Sequence, residues 1–300
     1  MMPILETLAL SKRYDSKFAI QDVQFSVGRG QVCGLLGPNG SGKTTTLGIV
    51  LGCLRATSGQ YRWFGEAPTA AQRTRVGALL EKPNFYPWLS ASRNLQITAK
   101  IRGVEDDKKA IQRVLDQVGL LPHANTRYST FSLGMKQRLG VASALLGNPE
   151  VLVLDEPTNG IDAEGIAHMR TLFLDLAAAG KTLILSSHIL DEIEKVCSHV
   201  VILKSGRVLA QGAIGDVLQA EGGIEVAASH MEALGEILKT CPHLQKIERT
   251  GDLFHVYPLL DTFTAEALNE WLVQQQVFAS HLVRRKQSLE QHFLSLISTP

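Results

Sequence analysis

Positions 37 to 44 have the residue types and the spacing of a phosphate-binding loop. They read Gly-Pro-Asn-Gly-Ser-Gly-Lys-Thr, the pattern G-x-x-x-x-G-K-[ST]. Glycines let the backbone turn around an anion so that N–H groups and the positive end of the next helix face it, and Lys43 adds a charge. The hydroxyl of Thr44 is suited to Mg²⁺. The pattern predicts an ATP site with contacts from Gly37, Pro38, Asn39, Gly40, Ser41, Gly42, Lys43, Thr44 and Thr45.

The segments on either side of this loop support the same interpretation. The apolar run Val32–Leu36 is typical of a buried strand, and residues 44–51 are typical of a helix. A glycine-rich turn that matched the pattern by chance would not need a buried strand before it or a helix after it. We therefore reject that alternative.

Two carboxylates follow a second buried strand. The run 151–154 reads Val-Leu-Val-Leu and ends in Asp155 and Glu156. Because ligands of open α/β sheets bind beyond the carboxyl ends of the strands, we expect Asp155 to hold Mg²⁺ and Glu156 to orient the water that attacks the γ-phosphate. An acidic turn that merely ends a strand is the alternative, which the phosphate-binding loop makes less favourable.

His188 follows another apolar run, 182–185. An isolated histidine usually has no function beyond packing or surface polarity. This one is expected at the same sheet edge, where it could donate a hydrogen bond to the γ-phosphate.

The order of the elements predicts two domains. Residues 1–216 alternate short strands with amphipathic helices, which indicates a helix-covered, mainly parallel α/β sheet of the P-loop NTPase type. Within it, residues 85–147 have helical spacing without strands and form a predicted helical subdomain. Residues 217–300 are expected to form a small α+β domain resembling a split βαβ sandwich. Its predicted strands cover 223–228, 245–249, 253–257 and 277–283, and its helices cover 231–239, 263–271 and 289–297.

Composition and charge exclude several kinds of protein. The formal net charge is +1 without a basic stripe, so nucleic acid is not an expected partner. No apolar stretch approaches the length of a membrane span and no signal-peptide pattern is present, so we expect a soluble, cytoplasmic chain. The four cysteines, which lack metal-site spacing, are expected to be buried free thiols.

Taken together, the motifs resemble those of ABC transporter ATP-binding subunits over roughly the first 215 residues. The resemblance rests on the phosphate-binding loop and, in order, on the segments 131–138 (FSLGMKQR), 154–157 (LDEP), 159–162 (NGID) and 187–188 (SH).

This resemblance implies an ATPase that works as a head-to-tail dimer, most simply of two identical copies. Ser132 and Gly134, at the start of a helix, would then complete the γ-phosphate site of the other copy, and Asp162 would lie in the loop that crosses the interface. Tyr14 matches the aromatic residue that stacks on adenine, although Phe18 is a nearby competitor.

Two departures from the family pattern narrow the identification to one branch of the family. Glu81 stands where a glutamine is usual; its carboxylate still suits Mg²⁺, but its charge puts the placement of the attacking water in doubt. Leu133 stands where a glycine is usual in the signature segment. Together with the sequence SLEQHF at 288–293, these residues resemble the exporter branch associated with bacitracin and lantibiotic self-protection.

The same resemblance implies a separate integral membrane permease that carries the cargo and holds this chain at the inner face of the membrane. The cluster formed by Phe85, Tyr86, Trp88 and Leu89 could form the groove that accepts a permease helix; packing inside the helical subdomain is the alternative. The competing functions are an ATPase of DNA repair, chromosome organisation or translation, an importer ATPase, and a silent nucleotide binder. An ATPase of DNA repair, chromosome organisation or translation is disfavoured because the sequence has neither a coiled-coil insertion nor a tandem ATPase. Glu81 and Leu133 disfavour an importer ATPase. A silent nucleotide binder is disfavoured by the joint presence of Lys43, Asp155, Glu156 and His188.

Overall fold

The computed structural model describes residues 2–104, 107–219, 223–260, 262–284, 289–290 and 293. The chain divides into two compact units, Met1–Ala213 and Ile214–Pro300, so the division comes three residues before the boundary expected at 216. No helix in these described ranges is long and apolar enough to cross a membrane.

The first unit contains two sheets. Its strands are β1 (Leu5–Tyr14), β2 (Lys17–Val27), β3 (Val32–Leu36), β4 (Ser58–Trp63), β5 (Val76–Leu79), β6 (Val151–Asp155), β7 (Thr182–Ser187), β8 (His199–Lys204) and β9 (Arg207–Ala213). Strands β2, β1 and β4 form an antiparallel sheet in that order. The larger sheet has the order β5-β6-β7-β3-β8-β9, and all of its strands are parallel except β9.

The helices of this unit connect the strands. They are α1 (Lys43–Val50), α2 (Ala70–Thr74), α3 (Ala91–Ile101), α4 (Asp107–Gln117), α5 (Leu133–Leu145), α6 (Ala163–Ala178) and α7 (Leu190–Val196). Helices α3 to α5 occupy the helical segment between β5 and β6. The parallel strands β3, β6 and β7 are buried at every position, which explains the apolar runs that make up most of their sequences.

A core between the two sheets fixes the phosphate-binding helix. Leu47, Ile49 and Val50 of α1 pack there with buried residues of β1, β2, β3 and β6. Trp63 of β4 is fully buried, and its indole N–H donates to Val50 O at 2.7 Å. Because that carbonyl belongs to the last turn of α1, this bond ties the antiparallel sheet to the end of the helix.

The second unit has a single antiparallel sheet with the order β11-β12-β10-β13. Its elements are α8 (Ile214–Gln219), β10 (Ile224–Ala228), α9 (Met231–Lys239), β11 (Leu244–Thr250), β12 (Leu253–Pro258), α10 (Ala265–Gln274) and β13 (Ala279–Arg284). Strand β12 lies between β10 and β11, so this is the predicted split βαβ arrangement. The helix predicted over 289–297 lies mostly outside the described residues. Within that range the structure describes Leu289, Glu290 and Phe293, and all three are helical.

The thiols depart from expectation at one position. All four cysteines are free, and Cys33, Cys197 and Cys241 are buried, with burial raising the pKa of each; that of Cys33 rises to about 12. The expectation that all four are buried is wrong for Cys53, which is exposed just after the last turn of α1.

The Arg102 side chain joins the helical segment to the larger sheet. Its guanidinium donates to Ala144 O, Leu146 O and Val76 O at 3.0, 2.5 and 2.7 Å. Burial lowers the pKa of this group. The bonds satisfy carbonyls at the C-terminal end of α5 that the helix cannot satisfy itself.

We predict that Arg102→Met lowers the free energy of unfolding by about 2–4 kcal/mol, because several partly buried carbonyls lose a charged donor. Thermal and urea melts followed by circular dichroism measure the change. The control is Arg62→Met, which alters an exposed arginine of β4 and should stay within about 0.5 kcal/mol of the wild type. Equal melts for the two variants would contradict the structural role of Arg102.

Candidate functional site

The phosphate-binding loop leaves β3, enters α1 and lines one side of a cleft. The first helical bond runs from Thr46 N to Gly42 O at 2.8 Å, so the N–H groups of Lys43, Thr44 and Thr45 precede the helical ladder. Gly42 has φ +104°, and a Cβ there would lie 2.9 Å from Ala19 O. The loop conformation therefore requires glycine at this position.

This cleft has a volume of about 380 Å³. It is lined by Tyr14, Lys17, Phe18, Ala19, Asn39, Gly40, Ser41, Gly42, Lys43, Thr44, Thr45 and Glu156. Tyr14 and Phe18 are 49% and 42% exposed, so both competing aromatic rings are available to a base. Ser41 is buried, and within the described residues its Oγ has no hydrogen-bond partner. A phosphate oxygen is the kind of acceptor that this unpaired donor lacks.

Lys43 lies over its own loop. Its Nζ donates to Gly37 O at 2.7 Å and to Pro38 O at 3.4 Å, and it is 3.9 Å from Glu156 Oε1. The side chain is only 7% exposed. The charge is thus held between the loop and the acidic strand, where an anion in the cleft would meet it.

The two carboxylates at the end of β6 have different partners. Asp155 is buried; its Oδ2 accepts from Thr44 Oγ1 at 2.9 Å, and its Oδ1 accepts from Ser186 Oγ. Glu156 points toward the cleft, and its Oε2 lies 2.7 Å from His188 Nδ1. The structure thus brings the phosphate-binding loop, Asp155, Glu156 and His188 together.

Eight predicted site residues are not among those that line this cleft. Gly37, Pro38, Asp155 and His188 bond to residues that do line it. The other four are Glu81, Ser132, Gly134 and Asp162. Ser132 and Asp162 cap the helices that follow them, since Met135 N donates to Ser132 Oγ at 3.2 Å and Gly165 N donates to Asp162 Oδ1 at 3.0 Å. Gly134 lies in the first turn of α5 beside Ile161. Glu81 follows β5, which pairs in parallel with β6, so it leaves the sheet at the same edge as Asp155 with its side chain exposed.

Comparison with known proteins agrees with this geometry. Residues 20–159 match the family model described as ABC transporter. The bacitracin transport ATP-binding protein BcrA of Bacillus licheniformis is 45% identical over 215 residues, which cover 70% of this chain and 70% of that protein. BcrA of Enterococcus faecalis is 31% identical over 98% of this chain and 96% of its own length. A solved ATP-binding subunit of an ABC transporter is 30% identical with a TM-score of 0.65, covering 71% of this chain and 91% of the other.

This chain belongs to the ABC transporter ATP-binding family. The predicted P-loop fold and the predicted family are both confirmed, and the bacitracin transport relatives agree with the branch suggested by the motifs. As a member of this family, the chain is an ATP-hydrolysing enzyme.

Sequence reasoning missed two residues that shape the site of this ABC ATPase. Ser186 Oγ donates to Asp155 and accepts from Glu156 N at 2.9 Å, so one hydroxyl contacts both acidic residues. Gln137 of α5 is buried and donates from Nε2 to Glu156 O at 3.1 Å. Ser186 could have been found by aligning the predicted strands, because it pairs directly with Asp155 in the sheet. No sequence signal identifies the partner of Gln137.

We predict that Ser186→Ala lowers kcat, because Asp155 loses a donor and Glu156 N loses its closest acceptor. It should also reduce the free energy of unfolding by about 1–2 kcal/mol. Steady-state ATPase assays and thermal melts measure both changes.

The matched control is Thr182→Val at the other end of β7, where Thr182 Oγ1 accepts from Gly30 N at 2.8 Å. This variant should lose similar stability and keep its kcat. If the two variants lost activity equally, the effect would be one of folding, contrary to the assigned role of Ser186.

Proposed function

We propose that this chain is the ATP-hydrolysing subunit of an ABC exporter. The observation that carries the ATPase chemistry is the convergence of Lys43, Thr44, Asp155, Glu156 and His188 at one edge of the larger sheet. Glu156 faces the cleft and is 23% exposed, which suits a carboxylate that orients a water molecule for attack on the γ-phosphate. His188 Nδ1 lies against that carboxylate and helps to fix its direction. When both ring nitrogens carry a proton, Nε2 can also donate to the γ-phosphate.

Magnesium fits the residues at the base of the cleft. The Thr44 hydroxyl and the Asp155 carboxylate, 2.9 Å apart, are hard oxygen donors of the kind that Mg²⁺ prefers, and they would hold it. Glu81, which follows the neighbouring strand β5, is proposed as a further ligand of the magnesium ion. When bound with ATP, Mg²⁺ supplies positive charge against the phosphate oxygens.

Two copies of the chain are proposed to close around two ATP molecules. The support is that Ser132, Gly134 and Asp162 do not line the cleft of their own chain. Asp155 and His188 are also outside that lining but bond to Thr44 and Glu156 within it, whereas Ser132 and Asp162 bond to the helices that follow them. The N-terminus of α5, including the Ser132 hydroxyl, would then complete the phosphate site of the other copy, and Asp162 would lie at the interface.

The cargo and the membrane partner are inferred from the relatives. Both BcrA proteins are described as bacitracin transport ATP-binding proteins. We infer export of a peptide antibiotic or a related drug through a separate membrane permease, which places this chain at the cytoplasmic face of the membrane.

Of the three aromatic residues that follow Glu81, one is packed and two are exposed. Phe85 stacks edge-on against Tyr128 with ring centroids 5.3 Å apart, which agrees with packing inside the helical segment. Tyr86 and Trp88, with centroids 5.5 Å apart, are 48% and 68% exposed. The buried Asn94 side chain fixes this surface by bonding Tyr86 N and Tyr86 O. We propose that Tyr86 and Trp88 contact a permease helix.

Glu156→Gln tests the assigned chemistry. We predict that it lowers kcat by about 10²–10⁴-fold while nucleotide binding persists, because an amide orients water poorly and the phosphate contacts remain. Lys43→Ala should instead weaken binding and turnover together. Steady-state ATPase rates and titration with a fluorescent ATP analogue separate the two patterns. The control Glu232→Gln alters an exposed carboxylate of α9 and should match the wild type; fast turnover by Glu156→Gln would reject the assignment.

Trp88→Ala tests the permease contact. We predict that ATPase activity of the purified chain is unchanged, whereas co-purification with a polytopic membrane protein from detergent-solubilised membranes of its own cell is lost. The control is Phe278→Ala, which removes a 72% exposed ring of the second unit. Recovery of only soluble partners with the wild-type chain would argue against an exporter, and normal co-purification of Trp88→Ala would argue against this contact.

A further inference from the structure

Gln137 is a buried polar side chain that lies outside the cleft and touches the backbone of the residue assigned to hydrolysis. It is 5% exposed on α5, and its Nε2 donates to Glu156 O at 3.1 Å. It is thus a side chain from the helical segment bonded to the main chain at the end of β6.

The backbone of Glu156 has an unusual conformation. Its φ of +48° lies in the left-handed region, which costs free energy for a residue with a Cβ and persists only where neighbouring groups fix it. Its N–H donates to Ser186 O at 3.2 Å and to Ser186 Oγ at 2.9 Å. Its carbonyl accepts from Asn159 N and from Gln137 Nε2, both at 3.1 Å.

The carbonyl bonds matter for the direction of the carboxylate. Pro157 follows, and its ring fixes its own φ, so the orientation of the peptide between the two residues depends on ψ of Glu156. Without the Gln137 donor, the carbonyl keeps its bond from Asn159 N, and the rotation is restrained less tightly. Because Cα and Cβ of Glu156 move with the same backbone, the carboxylate then loses its fixed aim into the cleft.

The first turns of α5 contact the same loop at two further points. A methyl group on Gly160 would lie 2.6 Å from Leu133 Cδ2, and one on Gly134 would lie 3.3 Å from Ile161 Cγ2. Leu133 therefore covers Gly160, and Ile161 covers Gly134. Together with the Gln137 bond, these contacts join the N-terminal turns of α5 to the loop from Glu156 to Ile161.

We propose that Gln137 is a positioning residue that couples the N-terminus of α5 to the hydrolytic carboxylate of the same chain. A shift of α5 is passed through the Gln137 amide to the Glu156 carbonyl, and so to the aim of its carboxylate. This inference rests on the proposed roles of Glu156 in hydrolysis and of Ser132 in the other copy's phosphate site. With those roles, occupation of one site sets the geometry of the other.

The test is Gln137→Met in the full chain, which keeps the length and apolar volume of the side chain and removes the donor. Because the carboxylate is misdirected while the phosphate contacts remain, kcat should fall by about 10- to 100-fold with KM for Mg-ATP nearly unchanged. The control is Ser143→Ala on the same helix, whose hydroxyl contacts Thr98 Oγ1 at 3.4 Å rather than this loop. It should keep the wild-type kcat and KM.

A second variant covers the case in which Gln137→Met does not fold. Gln137→Glu has the same shape but, when ionised, accepts hydrogen bonds and cannot donate. It should show the same loss of kcat with KM retained. Wild-type kcat in the folded variant, or a rise in KM that accounts for the whole loss, would overturn the proposal.

Combination with Glu156→Gln separates this inference from the proposed function. If Gln137 acts through Glu156, adding Gln137→Met to Glu156→Gln should lower the residual rate little further, so the effects are strongly non-additive. Fully additive losses would overturn the coupling and leave the role of Glu156 intact. Fast turnover by Glu156→Gln alone would instead remove the hydrolytic assignment, and the inference with it.

Discussion

The alignment of three parallel strands is the constraint on which the site depends. Strand β7 pairs with β3 and β6 so that Leu35, Ser186 and Asp155 lie in one row across the sheet. The chain leaves all three strands within two residues of that row. Because the side-chain period of a strand is two, a slip of one residue would turn Asp155 and Ser186 to the opposite face. The buried apolar runs of these strands resist such a slip, so the core fixes the geometry of the proposed site.

Several groups that do not face the cleft hold this edge of the larger sheet in place. The antiparallel sheet fixes the end of α1 through Trp63, and Ser186 contacts both acidic residues. The loop itself depends on close approach, since Gly42 lies against Ile20 and Ala19 of β2. The nucleotide cleft is therefore built by residues of both sheets, although its motif occupies only eight positions.

The sequence predicted the elements whose patterns are local. The strands Val32–Leu36 and Val151–Asp155 and the helix Met231–Lys239 were readable because their apolar runs or amphipathic spacing are continuous. The phosphate-binding loop, Asp155, Glu156 and His188 could be predicted to lie at one sheet edge because each lies at or just after the end of such a strand. The contact of Gln137 could not be predicted, since it joins positions 19 residues apart through tertiary packing. The exposure of Cys53 was missed because it follows the last turn of α1, where the apolar pattern stops being informative.

The departure at Leu133 is explained by the glycine that it covers. The sequence raised the concern that a side chain at this position must fit near the nucleotide of another copy. In the structure the leucine lies over Gly160 of its own chain, where φ is +73° and even one methyl group would collide with Leu133 Cδ2. Leu133 keeps 50% of its surface exposed in the single chain. The leucine thus adds an apolar contact between α5 and the loop that ends at Asp162. Leucine fits at position 133, where the family usually has glycine, because residue 160 is a glycine and leaves room for its side chain. The two residues therefore pack as a pair.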